Sequence, residues 1–548
     1  MPTVSAHVAL TLAQHIDAVF GVMGNGNAYF LDAIVRQTDA VFTAVRHEQG
    51  AVVAADAHFR ASGRIAAATS TYGAGFTNTI TALAEAVQAH APLVLVVGDE
   101  PTSGPRPWDV DQIALASAVG ARTYTVGRAD AAATTVIAIE HALTYRVPVV
   151  LAIPYDVASL EAGWVPAAPA PRIPAPLTPK GEFAEGMLAE IAAALRGAER
   201  PLLLAGRGAW LAGARDALGA LAEATGALTA SSALGRGVFP AAQYDLGVAG
   251  GFGADGAMSL IREADVAVVF GASLNQFTMR FGELFAPGTR IYQVDIAPTA
   301  THPHVGGFVR GDARLVAEKL VRLVGPRASA PWRETVDVAS ARAYAEGDDL
   351  APDGRLDPRS AARRIAELLP QDRVVVSDGG HFIGWANMYW PVRSPDRMMM
   401  IGTAFQSIGQ GWPSVVGAAL ARRRSTVVLT SGDGGGLMAI ADLESAVRAA
   451  GGRGIAVIWN DAAYGAEVNL YGLKGLAEGP MRIPEVDFAA FGAAVGAEGV
   501  VVRTLDDLDR LATWAEEDAA SRRFLLLDLR ISGDIVAPYQ QEIIRVNS

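Results

Sequence analysis

The chain contains no cysteine among its 548 residues. That absence removes disulfides, thiolate catalysis and zinc–cysteine sites, and nothing else in the sequence calls for an oxidising compartment. Basic charge is in deficit too: 45 Lys and Arg stand against 57 Asp and Glu, a formal charge of −12. A surface of that sign suits neither nucleic acid nor an anionic membrane, although a pocket can still set its own local field. The N-terminus lacks a basic n-region and carries Asp17 inside its apolar stretch, so it does not read as a signal peptide. One long uncharged run exists, 398–421, but Gln406, Gln410, its glycines and Pro413 argue against a membrane span. The expectations are therefore no nucleic acid, no membrane and a cytoplasmic location.

What is present is abundant apolar sequence, 51% of residues, in a chain long enough for several domains. Short apolar runs alternate with Ala/Leu-rich helical stretches: 18–22, 41–45, 65–69, 93–97 and 149–153, then 201–205, 266–270 and 291–294, then 374–377, 426–430, 455–459 and 524–529. Such alternation predicts an α/β fold of parallel sheets with helices on both faces. Proline-rich segments at 154–179 and around 326–358 read as linkers. They divide the chain into three doubly wound units, 1–165, 185–330 and 358–548. No short-period repeat is visible.

The sharpest chemical signal is Gly432-Asp433-Gly434-Gly435, followed 27 residues after Asp433 by Asn460. The strand 426–430 runs into this glycine turn, which opens a helix expected over 437–448. Backbone N–H groups at such a turn suit a phosphate. Asn460 ends the next strand, so both residues fall on one sheet edge, where ligands bind. A carboxylate and an amide oxygen beside a diphosphate suit Mg²⁺. This pattern resembles the thiamine-diphosphate enzymes related to acetohydroxyacid synthase and pyruvate decarboxylase, whose diphosphate motif begins GDG and ends in an asparagine pair. The resemblance implies that Asp433, Asn460 and the main-chain carbonyl of Ala462 hold the metal, with Tyr464 and Gly465 beside the cofactor. Gly435 replaces a common serine and Asp461 the usual second asparagine; neither change removes a side-chain ligand.

Further segments extend the resemblance over nearly the whole chain. Arg46-His47-Glu48-Gln49-Gly50-Ala51 follows the strand 41–45. A glutamate there also suits a helix N-terminus; in this family it is the catalytic residue that bonds N1′ of the cofactor's aminopyrimidine. The segment 403–413, TAFQSIGQGWP, resembles the stretch in which Ile408 bends the cofactor and the carbonyl of Gln406 accepts its amino group. Gly21-Val22-Met23-Gly24-Asn25-Gly26-Asn27 resembles a conserved family turn, which places Gly24 at the cofactor. Asn25 aligns with a catalytic aspartate of pyruvate decarboxylases, or caps the next helix. Thr71-Tyr72-Gly73 begins a loop under the cofactor, and Asp378-Gly379-Gly380-His381 ends a strand that relatives aim at the diphosphate. His381 touches phosphate or substrate, or is a polar loop residue. Glu467 falls where decarboxylases carry a glutamate that helps protonate the reacting carbon, or is a surface residue.

The resemblance names the three units pyrimidine-binding, Rossmann-like middle and diphosphate-binding. Gly206-Arg207-Gly208 is an imperfect dinucleotide fingerprint, weak when it stands alone. Some relatives hold FAD in this domain; here an empty structural domain is expected, with FAD left open. The implied cofactors are thiamine diphosphate and Mg²⁺, and the implied substrates a small 2-oxo acid and a carbonyl acceptor. The paired-histidine motif of pyruvate decarboxylases is missing near position 100, where GDEPTSGPRPWDVDQ stands instead. Decarboxylation coupled to carboligation is therefore expected, with simple decarboxylation or hydroxyketone lysis as the alternative. A family member that has lost turnover, and a nucleotide-dependent dehydrogenase, are the competing classes. The resemblance also implies a homodimer or homotetramer with active sites at subunit interfaces.

Overall fold

A computed structural model describes residues 1–326 and 331–547. Part of the second expected linker, 327–330, and residue 548 lie outside the described residues. Three six-stranded sheets follow one another along the chain, and every strand pair in them is parallel.

The first sheet contains β1 (Ala18–Gly21), β2 (Val41–Ala44), β3 (Ala67–Ser70), β4 (Val94–Asp99), β5 (Arg122–Thr125) and β6 (Val149–Pro154), in the order β2-β1-β3-β4-β6-β5. The second contains β7 (Pro201–Ala205), β8 (Leu228–Ser231), β9 (Asp245–Val248), β10 (Val266–Phe270), β11 (Arg290–Asp295) and β12 (Gly307–Arg310), in the order β12-β11-β10-β7-β8-β9. The third contains β13 (Arg373–Ser377), β14 (Met398–Met400), β15 (Thr426–Gly432), β16 (Gly454–Asn460), β17 (Glu498–Val502) and β18 (Leu525–Arg530), in the order β14-β13-β15-β16-β18-β17.

The first and third sheets are thus topological copies of each other, a duplication the amino-acid sequence does not display. In both, strand order reverses between the first and third strands, which creates a crevice at their carboxyl ends. For the first sheet that crevice lies between the turns after β1 and β3. For the third it lies between the turns after β13 and β15.

Central strands such as β4, β6, β10 and β15 are buried along their whole length, which is why they read as unbroken apolar runs. The strands that sequence patterning misses are β5, β8, β9, β12, β14 and β17. β5 and β17 are short and half-exposed edges, and β14 is three methionines long. The uncharged run 398–421 is not one element. It comprises β14, a glycine-broken loop and the helix Gly411–Ala421. Among the described residues no helix is long and apolar enough to cross a membrane. The helix expected over 437–448 is also broken: Asp433–Met438 and Leu443–Ala450 are separated by a tight turn at Ile440–Asp442.

The first and third sheets share one hydrophobic core, joined where the helix Glu48–Ser62 lies along the helix Gly411–Ala421. Ala51, Ala54 and Ala55 face Trp412, Val415, Val416 and Ala419 in that core. Small residues let the two backbones approach closely. A Cβ on Gly417 would stand 2.0 Å from the carbonyl oxygen of Ala54. Gly417→Ala should therefore destabilise the protein by about 1–3 kcal/mol through forced separation of the helices. Gly186→Ala, whose Cβ would meet open space, should be neutral or stabilising by up to ~1 kcal/mol. Urea unfolding of the two variants checks the contrast.

Candidate active site

In the first sheet, the turn after β1 is organised by Asn27. Its side-chain oxygen accepts from Gly24 N at 2.8 Å, and its amide donates to Val22 O and Thr69 Oγ1, both at 3.0 Å. Asn27 also stands at the N-cap of the following helix, so the alternative capping role weighed for Asn25 does not hold. Asn25 reaches outward and donates to the Tyr72 hydroxyl at 2.9 Å, while Gly26 N donates to Thr71 Oγ1 at 2.9 Å. Gly73 takes φ +59°, with its N–H bonded to the buried Gln112 side chain at 2.9 Å.

Glu48 opens its helix and is half-buried; its Oε2 accepts from Asn78 Nδ2 at 3.0 Å. Glu48 and Thr71 are near neighbours, because a Cβ on Gly75 would lie 3.4 Å from Glu48 Oε1 and 2.6 Å from Thr71 Cγ2. Gly24, Asn25, Glu48, Thr71 and Gly73 accordingly gather around one crevice.

The third sheet gathers the other set. Asp378 is buried and receives Gly379 N at 2.8 Å, Gln410 N at 3.1 Å and Ser431 Oγ at 3.3 Å. Burial raises its pKa. It thereby ties the turn after β13 both to β15 and to the loop carrying Gln406 and Ile408. Ile408 Cγ2 would be 3.0 Å from a Cβ on Gly379, so the isoleucine packs on that turn.

Asp433 begins the helix after β15. Burial, reinforced by the adjacent Asp461 carboxylate, pushes its pKa up to about 7. Its one hydrogen bond among the described residues is from its neighbour Gly434 N, at 2.9 Å. Asn460 is fully buried, and both bonds of its amide nitrogen go to acceptors: Asp528 Oδ1 at 2.9 Å and Val486 O at 3.0 Å. That fixes which way the amide points. Its oxygen has no protein partner, and neither has Asp461 Oδ1. Asp528 is itself held by Phe488 N and Arg530, so Asn460 is oriented by a buried network.

A buried carboxylate beside a second carboxylate and a buried amide oxygen without a donor each cost stability. A cation would satisfy both. Among the described residues no three His, Asp or Glu side chains cluster as a metal site. The donor set on offer is instead one carboxylate, one amide oxygen and main-chain carbonyl, which fits Mg²⁺ completed by phosphate oxygens and water. Ala462 O already accepts from Ile483 N at 2.9 Å, leaving one lone pair free.

Ala462 and Gln406 share a further property. Both sit at φ +57°, a conformation that costs a non-glycine residue roughly 1–2 kcal/mol. These are the two positions whose main-chain carbonyls the sequence pattern assigns to the metal and the cofactor.

His381 faces Asp461, with Nε2 3.0 Å from Oδ2. Burial opposes its charge, yet Asp461, with Asp433 and Glu467, raises its pKa above the usual histidine value. The ring packs so tightly on Gly465 that a Cβ there would lie 2.3 Å away, and Tyr464 covers Gly434 in the same manner at 2.7 Å. Gly380 takes φ +134° to turn the chain at this point. Glu467 is exposed, beside the π-helical turn Val468–Gly472, an irregularity frequent at functional sites. Gly432 and Gly435 press against Phe382 and Asp378 respectively.

The two crevices remain separate. Among the described residues no hydrogen bond or ion pair joins Asn25, Glu48 or Thr71 to His381, Asp433 or Asn460. What does link the domains is a buried set that motif reading misses. Arg60 donates to Asp56, to Glu85 Oε1 at 3.3 Å and to Met400 O at 3.0 Å, while Glu85 Oε2 accepts from Phe405 N at 2.7 Å. Glu85 thereby holds the loop that presents Gln406. A lone buried glutamate inside a helix, Ile80–Gln88, was the available signal.

In the middle domain the amides of Gly206 and Gly208 are already spent on Phe270 O and Gly271 O, both at 2.9 Å. Arg207 is buried, donates to Ala89 O at 2.6 Å, and burial pushes its pKa down to about 9. The two amides that a dinucleotide phosphate would use at this turn are thus already bonded within the chain.

Comparison with known proteins agrees with this architecture. Three models of the thiamine pyrophosphate enzymes match in order: the N-terminal TPP-binding domain at 2–118, the central domain at 188–320 and the C-terminal TPP-binding domain at 378–529. The chain belongs to the thiamine pyrophosphate enzymes. It is 26% identical to the acetolactate synthase isozyme 3 large subunit of Escherichia coli over 95% of this chain and 93% of that protein. It is 28% identical to sulfoacetaldehyde acetyltransferase of Roseovarius nubinhibens, covering 100% and 94% respectively. Its fold matches a 4-hydroxybenzoylformate decarboxylase from Rhodococcus jostii at TM-score 0.80 and 21% identity, over 97% of this chain and 99% of that one. Benzoylformate decarboxylase from Polynucleobacter necessarius also matches, at TM-score 0.80 and 21% identity, over 98% and 99%.

Glu85→Gln should leave the protein folded but weaken thiamine diphosphate binding about 10-fold, as loss of a buried orienting partner does elsewhere. Calorimetric titration with the cofactor and Mg²⁺ checks this, and unchanged affinity would remove Glu85 from the site.

Proposed function

We propose that two copies of this chain bind thiamine diphosphate and Mg²⁺ between them, decarboxylate a small 2-oxo acid and join the remaining acyl unit to a second carbonyl compound. The observation that carries this reading is Asp433, a buried carboxylate bonded among the described residues only to Gly434 N, together with Asn460, whose buried side-chain oxygen has no protein partner, both at the carboxyl end of the third sheet. Gly432, Gly434 and Gly435 form the turn that opens the helix after β15, whose first N–H groups suit a diphosphate.

Bound there, thiamine diphosphate supplies the electron sink needed to break a carbon–carbon bond next to a ketone. The protein's own part would begin with Glu48, whose carboxyl group would hold a proton at the ring nitrogen of the pyrimidine. Gln406 O would accept from the amino group on that ring, and Ile408 would pack against the cofactor to keep the reacting groups close. Asp433, Asn460 and Ala462 O would hold the metal. Thr71, Gly73, Gly24 and Asn25 border the substrate side of the first crevice. His381 and Glu467 stand by the diphosphate and the departing product; Tyr464 and Gly465 shape that wall, and Gly380 turns the chain so that His381 enters it.

Glu48 and Asp433 lie in crevices that the single chain does not join, so one complete site takes Glu48 from one subunit and Asp433 from another. The middle domain holds no dinucleotide in this reading. Relatives named for acetolactate synthesis and acetyl transfer favour moving the acyl unit over releasing it. Glu467, exposed and electrostatically coupled to His381, favours the second reading, simple decarboxylation with release of an aldehyde.

Glu48→Gln should keep cofactor affinity but lower CO₂ release from pyruvate or benzoylformate by about 10²–10⁴-fold. Asp433→Asn should lose metal-dependent cofactor binding instead. Full turnover by the Glu48 variant would contradict the assignment. Mass spectrometry of wild-type products separates a 2-hydroxyketone or acetohydroxy acid from a free aldehyde.

A further inference from the structure

The first crevice continues beyond Asn25 into a surface that the proposed chemistry does not use. Asn25 donates to the Tyr72 hydroxyl. The Arg106 guanidinium lies over the Tyr72 ring, its carbon 4.1 Å from the centroid, and is 4.6 Å from the Tyr155 centroid and 5.6 Å from that of Trp108. Tyr72 and Tyr155 meet edge to face at 6.0 Å. The wall is fixed to the crevice floor, since a Cβ on Gly73 would strike Trp108 O at 2.9 Å.

Continuity with the reaction centre follows from contacts already described. Glu48 neighbours Gly75, Gly75 neighbours Thr71, and Thr71 binds the turn that carries Asn25. Arg106 does not offer a free charge. Its Nε and Nη2 each bond Asp109 at 2.8 Å, its own N–H does so at 2.8 Å, and the Asp109 side chain is 2% exposed. A neutralised guanidinium stacked on tyrosines is a planar, polarisable face. A second carboxylate or a sulfonate finds no unpaired cation there, whereas a flat ring gains contact. Trp108 stands 61% exposed at the edge of this wall, where an aromatic ring entering the crevice can reach it.

We propose that Tyr72, Arg106 and Trp108 form the subsite for an aromatic substituent, making arylglyoxylic acids, with aromatic aldehydes as their products or acceptors, the preferred substrate class. This rests on the thiamine-diphosphate reading above. Aliphatic 2-oxo acids such as pyruvate would leave Trp108 uncovered and be weaker substrates.

The test compares benzoylformate with pyruvate on the holoenzyme. Wild type should prefer benzoylformate in kcat/KM, and Trp108→Ala should lower that preference roughly 10-fold or more, mainly through KM. Trp108→Phe, which keeps an aromatic face, should restore most of it. Preference for pyruvate in the wild type, or an equal effect of Trp108→Ala on both substrates, would overturn the subsite. Calorimetric binding of the two acids, measured alongside, keeps the outcomes distinct. Tryptophan-dependent binding of benzoylformate without turnover of either acid sinks the reaction assigned above and supports the subsite. Turnover without aromatic preference does the reverse.

Discussion

The contact between the helices Glu48–Ser62 and Gly411–Ala421 governs the rest of this molecule. It joins the first and third sheets through one core and is close enough that Gly417 admits no side chain. Glu48 is the first residue of one helix, and the loop bearing Gln406 and Ile408 leads into the other. The seam therefore sets the position of both Glu48 and the loop bearing Gln406 and Ile408. Arg60 and Glu85, buried at its side, extend the same control to Phe405 and Met400. Because this pairing of domains is made inside the chain, each crevice is left to find its complement elsewhere, and a second copy supplies it in our account.

The third sheet displays the complementary principle, preorganisation at a cost in stability. Asn460 could have been satisfied by a nearby donor; instead Asp528 and Val486 hold its nitrogen and turn its oxygen into the site. Asp433 is buried beside the Asp461 carboxylate, and burial, reinforced by that neighbour, raises its pKa. Ala462 and Gln406 adopt left-handed backbone where glycine would be easier. Left-handed backbone beside a buried amide oxygen without a partner is what a ligand would complete. In the middle sheet the amides of Gly206 and Gly208 are bonded internally.

Much of this was legible in the sequence, for physical reasons. Parallel strands buried on both faces must be apolar throughout, so β4, β10 and β15 announce themselves. A glycine turn with an acid, and an asparagine closing the next strand, cannot easily serve another purpose at that spacing. Edge strands such as β5 and β17 carry mixed residues because only part of each is buried, and they were missed. The break at Ile440–Asp442 was hidden because helix propensity is continuous there; tertiary contact decides it, through Arg46 N donating to Asp442 at 2.7 Å. Glu85 and Asp528 lie outside every motif because their work is to orient other residues, and Asn27 and Asp378 stand in quoted motifs that do not reveal their orienting bonds. The duplication of the first and third sheets lies in strand order alone, where side-chain patterns say nothing.

The claim that one site draws on two chains can be measured by mixing two inactive proteins. Glu48→Gln and Asp433→Asn, refolded or co-expressed together, should recover about a quarter of wild-type turnover, because half the dimers are mixed and one of their two symmetric sites is intact. If both residues of each site came from the same chain, every site in the mixture would carry one lesion, and activity would stay at the level of the separate variants.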